Sequence, residues 1–530
     1  MRASPGRRGG TPVLLAVPGL TAAAVVLLPL AYLVVRTASG GSRAWEVLRR
    51  ARTLELIWST GLLVAGVTVA AVLVAVPLAW LVTRTDLPGR RAWAVAAALP
   101  LVIPSYVAAL CLLGAFGSGG LLRETLGLEH VPDITGYWGA LFALTLSTYP
   151  YVFLLTAAAL RELDPSLEEA AQGLGLSRTA VFRRVALPAL RPSAAAGALL
   201  VALYTLSDFG VVSLMRYDAL TRAIYLQYRS LFDRTPAAVL GLVLVSLTAV
   251  VLVAEMRTRR GARYYRASPG AARRPVPVRL GRWRWPALTF CTLVVGAFLA
   301  VPGVVLGYWL EHGVAGDSPL EIPSQQALNS LGASGLAAVV AVAAALPVAV
   351  LALRYRSRWT VTLERACYVG NALPGIVIAL SLVFFAARYV PQVYQTLLLL
   401  VLAYVVRFYA QALSGVGSAL ETVNPRLEEA ARGLGRGRLQ TLVTVTVPLA
   451  RSGFLAGGAL VFLSTMKELP ATLLLRPIGF DTLATEIWKL TQVGAYSRAA
   501  LPALALIIVL VPILFLLGRL GETAEPASGE

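Results

Sequence analysis

Twelve runs of about 20 or more mostly apolar residues occupy most of the chain. They lie near 12–35, 57–82, 92–117, 137–160, 194–215, 236–255, 286–310, 327–353, 366–387, 393–419, 454–475 and 499–518. A helix of that length crosses about 30 Å of hydrocarbon. Lipid leaves no other option except a closed barrel, because each backbone polar group must be satisfied internally. The alternating pattern of a lipid-facing strand is absent, which argues against a barrel. With 57% hydrophobic and 14% charged residues, the composition excludes a soluble globule. The expected fold is an all-α multi-pass membrane protein.

The twelve runs fall into two copies of a six-helix unit. PSLEEAAQGLG at Pro165–Gly175 and PRLEEAARGLG at Pro425–Gly435 agree at nine of eleven positions, 260 residues apart. The match extends without a gap to Val185-x-Leu187-Pro188 and Val445-x-Val447-Pro448. Repetition of this kind marks a duplicated structure. The expected division is a first unit at 1–255 with its polar loop at 162–188, a linker at 256–285, and a second unit at 286–530 with its loop at 421–448.

Charge sets the orientation. Arg257–Arg284 holds ten arginines and no acid, so the positive-inside rule places the linker in the cytoplasm. It lacks the fold signature and aromatic spacing of a nucleic-acid reader. The formal charge of +20 is therefore read as topology, and no nucleic-acid partner is expected. Both termini and both repeated loops become cytoplasmic, and the acidic Glu311–Glu321 loop falls outside. Arginines near Arg43–Arg52 and Arg216–Arg234 fall outside against the rule. The first apolar run is too long for a signal-peptide core and reads as a retained anchor. Cys111, Cys291 and Cys367 lie inside spans, so neither a disulfide framework nor a thiolate metal site is indicated.

Each repeated loop reads as a short helix. Asp164 or Asn424 serves as N-cap, and Pro165 or Pro425 takes the first helical position, where a missing N–H costs nothing. Glu168–Glu169 and Glu428–Glu429 fall in the first turn, where the helix dipole favours negative charge. Gly173, Gly175, Gly433 and Gly435 allow a sharp exit. An anionic lipid surface would favour basic residues over a glutamate pair, so a protein partner fits better.

The spacing Glu-Ala-Ala, three residues, Gly, nine residues, an apolar residue, one more, then Leu-Pro resembles the cytoplasmic loop of permease subunits of binding-protein-dependent ABC importers. Val447 in place of leucine is the one departure. The resemblance implies a type I ABC importer-like fold, in which two ATPase subunits dock on the loops and bring ATP and Mg²⁺. It also implies an extracytoplasmic substrate-binding protein and location in a prokaryotic inner membrane. By this analogy Glu169, Ala170, Ala171 and Gly175, with Glu429, Ala430, Ala431 and Gly435, transmit ATPase closure. The chain has no GxxxxGK[ST] phosphate loop, so no hydrolysis and no cofactor is expected on it.

Charges inside the spans mark a candidate pathway. Asp208 and Glu468 keep the 260-residue offset, as do Arg216 and Arg476. A carboxylate at a helix centre costs roughly 2.5–3.5 kcal/mol to insert, so idle placement is disfavoured. Two readings stay open: Asp208, Glu468 and Arg407 line a path or gate, or they and Lys467 neutralise one another as internal ion pairs. Pro104 and Pro374, in third helices of each unit, are expected to kink them. SDFGVVSL, ALPGIVIALSLVFF, AYVVRFYAQAL and KELPATLLLRPIGFDTLATEIW are similar to fused ferric-iron permeases. Thiamine, polyamine and phosphonate permeases share the architecture, and a twelve-helix secondary transporter driven by an ion gradient is the reading from another class.

Overall fold

A computed structural model describes residues 12–117, 119–127, 133–163, 165–229, 234–260, 277–315 and 322–522, nearly all of them helical. Asp164, His130 and most of the Arg-rich linker lie outside the described residues. Among the described residues ten helices are long and apolar enough to cross a membrane, and up to twelve if each of two bent pairs is one span. Among the described residues the only β pairing is a bridge between Thr85 and Val278.

Four expected spans are interrupted, in two matching pairs. The run at 92–117 is divided into Arg90–Ala98, a 3-10 turn at Leu99–Val102, and Ser105–Phe116. The run at 366–387 divides into Arg358–Ala372 and Gly375–Tyr389, bent by 103°. The cause is proline, acting on its predecessor: a residue before proline is pushed out of the helical region. Ile103 and Leu373 are extended, with ψ of 117° and 123°. Pro104 and Pro374 therefore start new helices, where their missing N–H leaves no bond unmade. The expected mid-helix kink is a full break. In the second pair, the Leu187–Ser207 helix stops at Asp208 and resumes as Gly210–Leu214. Likewise Arg451–Met466 stops before Glu468 and resumes as Pro470–Leu475.

Two compact units emerge. One comprises residues 1–39, 323–485 and 508–530, the other 40–322 and 486–507. These are not the sequence repeats. In the first unit the Val13–Ala38 helix packs on helices of the second repeat; a Cβ placed on Gly19 would lie 3.2 Å from Leu351 and 3.3 Å from Leu363. The Tyr32 hydroxyl donates to the Phe384 carbonyl at 3.4 Å. In the other unit, the leading helix of the second repeat packs on the first. Trp309 donates its indole N–H to the Gly114 carbonyl at 3.0 Å, and Phe298 sits 4.6 Å from the Tyr149 ring. Each repeat thus contributes its first helix to the unit built on the other.

The helices on either side of each Glu-Ala-Ala segment cross where at least one of them carries a glycine. A Cβ on Gly197 would come within 2.6 Å of Val152 Cα, and one on Gly415 within 2.6 Å of Gly457 Cα. In lipid, where hydrophobicity gives helices no reason to associate, such close backbone approach supplies the packing.

Candidate functional site

The Glu-Ala-Ala segments form two nine-residue helices, Pro165–Gly173 and Pro425–Gly433. Asn424 caps the second, its side chain accepting from the Arg426 N–H at 3.0 Å. Both exits follow one pattern. Leu176 N–H donates to Ala171 C=O at 3.2 Å and Gly175 N–H to Gln172 C=O at 2.9 Å; Arg436 repeats the first bond onto Ala431 and Gly435 the second onto Arg432. This paired closure needs a left-handed residue, and Gly175 and Gly435 supply it at φ of 85° and 88°. Nothing lies within 4 Å of a Cβ built on either glycine, so the constraint is conformational. Gly435→Ala should therefore cost about 1–2 kcal/mol and Gly435→Asn distinctly less, read as thermal unfolding midpoints of the purified protein.

The residues of each segment divide between two faces. Glu169, Ala170 and Leu174 are exposed, as are Glu429, Ala430 and Leu434, and the two leucines are each 86% exposed. Ala171 and Ala431, expected on the partner-facing surface, turn inward and are 8% exposed. A leucine left in the open beside a glutamate and an alanine makes a small apolar knob, present twice.

The inward face carries an ion pair that sequence reasoning missed. Arg84, 5% exposed at the end of Ala51–Arg84, donates through Nη2 to Glu168 at 3.1 Å and to the Leu163 carbonyl at 3.4 Å. Arg354, at the end of Ser324–Arg354, donates to Glu428 through Nε at 3.2 Å and Nη2 at 3.0 Å. Its Nη2 also reaches the carbonyls of Leu420 and Val423 at 3.2 and 3.3 Å. Each arginine closes a long apolar helix, the usual place for a membrane-flanking cation. Their partners lie 84 and 74 residues away, and no local pattern announces the pairing. Val278, where the linker re-enters the described chain, donates its N–H to the Arg84 carbonyl at 2.8 Å.

The broken spans meet at their breaks. Asp208, 7% exposed, accepts from the Val211 N–H at 2.9 Å and the Ser105 hydroxyl at 2.6 Å. Ser105 is the first residue after Pro104, so the carboxylate joins one helix break to the other. In the second repeat Glu468 accepts from the Ala471 N–H at 3.3 Å, and its carboxylate abuts Gly375, the first residue after Pro374. Arg407 donates to the Leu373 carbonyl at that same break, and its charge acts on Glu468. Arg407 and Glu468 are thus brought together in one unit, while Asp208 belongs to the other. Ser330, Ser334, Tyr404 and Thr482 line a narrow polar space beside Glu468.

Arg476 pairs with Asp481. Cys111, Cys291 and Cys367 are buried and unbridged. His312 lies in the Val301–Ala315 helix, its ring 3.9 Å from that of Tyr308, whose hydroxyl donates to Glu124 at 2.6 Å. Among the described residues no group of three or more His, Cys, Asp or Glu side chains is placed to hold a metal.

The profile of the binding-protein-dependent transport system inner membrane component matches residues 71–256 and again residues 341–527. The chain belongs to that family. Each match contains one Glu-Ala-Ala helix, and both begin after the leading helix of their repeat, so the two exchanged helices lie outside the shared core of these inner membrane components. The Fe(3+)-transport system permease protein FbpB 2 of Haemophilus influenzae is 34% identical over 91% of this chain and 93% of its own length. The ferric transport system permease protein FbpB of Actinobacillus pleuropneumoniae is 23% identical over 82% of this chain and 66% of its own. A probable ABC transporter permease, y4fN of Sinorhizobium fredii, is 24% identical over 91% of both.

Proposed function

We propose that this inner membrane component is the translocating subunit of an ATP-driven ferric-iron importer. The observation that carries the cargo is 34% identity, across nearly the full length of both chains, to a permease named for Fe(3+) transport. The exposed faces of the paired helices support the energy source. Glu169, Ala170 and Gly175 face one ATPase subunit and Glu429, Ala430 and Gly435 a second copy, with Ala171 and Ala431 seating each helix from within. ATP and Mg²⁺ bind on those partners, and an extracytoplasmic binding protein delivers iron. The setting is a prokaryotic cell membrane, with both termini and both docking helices in the cytoplasm.

Closure of the ATPase pair moves the docking helices, and the motion opens the path on alternate sides. Asp208, Glu468 and Arg407 stand at this path or gate, where the spans are already interrupted. A broken span can reorient without unwinding a continuous helix, a common arrangement at transport sites. Carboxylates are hard oxygen donors suited to a hard cation.

The test is uptake of ⁵⁵Fe from the loaded binding protein into proteoliposomes containing this chain and its ATPase. Uptake should require ATP and survive ionophores that collapse proton and sodium gradients. Uptake driven by a gradient without ATP would replace the reading with a secondary transporter. ATP-driven uptake of thiamine, spermidine or a phosphonate in place of iron would reassign the cargo. Cysteines at Glu169 and Glu429 should crosslink to the ATPase.

A further inference from the structure

The two docking helices are held by unlike means. A nine-residue helix is too short to persist in isolation, so tertiary contacts must fix its direction. On each, the inner glutamate supplies such a contact, and the arginine that meets it also touches the carbonyl end of the preceding span. Each arginine therefore joins three pieces: its own long helix, the span entering the docking segment, and the first turn of the docking helix. The second of these joints has more bonds. Arg354 uses both Nε and Nη2 on Glu428, and the buried Thr446 hydroxyl donates to the same carboxylate oxygen at 3.1 Å. Arg84 reaches Glu168 through Nη2, and the residue equivalent to Thr446 in the first repeat is Ala186, which has no hydroxyl.

We propose that Arg84 and Arg354 are positioning residues that clamp the docking helices to the membrane bundle, and that the clamp on the second repeat is the firmer. A push on the exposed face of Pro425–Gly433 then moves Ser324–Arg354 with it, while the same push on Pro165–Gly173 is partly lost as pivoting. This deepens the docking reading given above and rests on it for the source of the push.

Nitroxide labels on Glu169→Cys and on Glu429→Cys, in the full-length chain in lipid nanodiscs, read the clamp without any ATPase. The native cysteines are buried and compete little for label. The label at 429 should be less mobile than that at 169. Arg354→Lys, which keeps charge but cannot present two donors, should at least double mobility at 429 and leave 169 unchanged. Thr446→Val should act in the same direction and serves should Arg354→Lys fail to assemble. Arg84→Lys should have a smaller effect at 169, since one guanidinium nitrogen carries that contact. In the assembled transporter, Arg354→Lys should raise the ATP hydrolysed per ferric ion imported about threefold, a ratio that simple loss of folded protein leaves unchanged. Equal mobility at 429 in all variants would overturn the clamp. Mobility changes without ATPase crosslinking at 169 and 429 would retain the clamp and overturn the docking.

Discussion

Replacing Arg407 with methionine should cost the second repeat about 2 kcal/mol, and adding Glu468→Gln should return part of it. The cation donates to the Leu373 carbonyl at a helix break and acts on the Glu468 carboxylate. Both side chains are half-buried, and removing one member of such a charge pair leaves the other poorly compensated, which costs more than the pair itself contributes. Neutralising the second member then removes the penalty. Unfolding midpoints of the two single variants and the double variant in detergent form the cycle. Additive losses would show that Arg407 and Glu468 stabilise the fold separately.

Asp208 should give the other large effect, and its two obvious variants should part company. Asp208→Ala deserts the Val211 N–H and the Ser105 hydroxyl. Each buried donor left unmade costs about 1–3 kcal/mol, so a loss near 3 kcal/mol is expected. Asp208→Asn keeps the shape and an acceptor for Val211, and its amide can donate to Ser105, so stability should fall by about 1 kcal/mol. Uptake separates the two open roles. If the charge serves passage of a cation, Asp208→Asn should import iron at least tenfold more slowly while retaining nucleotide-stimulated ATPase. If the carboxylate only ties the helix breaks together, uptake should track the small stability change.

The sequence made the membrane class and the doubling plain because both rest on long, gap-free signals: apolar runs of fixed length and an eleven-residue repeat. The exposed face of the Glu-Ala-Ala helices was legible for the same reason, since Glu169, Ala170, Glu429 and Ala430 sit in the repeat itself. The inward turn of Ala171 and Ala431 was not, because a short helix shows its buried stripe only against a neighbour. Pro104 and Pro374 were seen, but a proline inside an apolar run does not say whether the helix bends or ends. Asp208 and Glu468 were found as charges in apolar runs and misread as mid-helix residues. Their bonds to the Val211 and Ala471 N–H groups are local, but their contacts with Ser105 and Gly375, about a hundred positions earlier, are not. Arg84 and Arg354 looked like ordinary membrane-flanking cations, and only the fold supplies Glu168 and Glu428.

The exchange of leading helices bears on how such a chain tolerates being severed. A single protease cut between residues 261 and 276 separates the repeats covalently. Val13–Ala38 would still be embedded among helices of the C-terminal fragment, and residues 281–315 among those of the N-terminal one. The nicked molecule should migrate as one particle, its fragments clasped like linked fingers, and parting them should take denaturant rather than dilution.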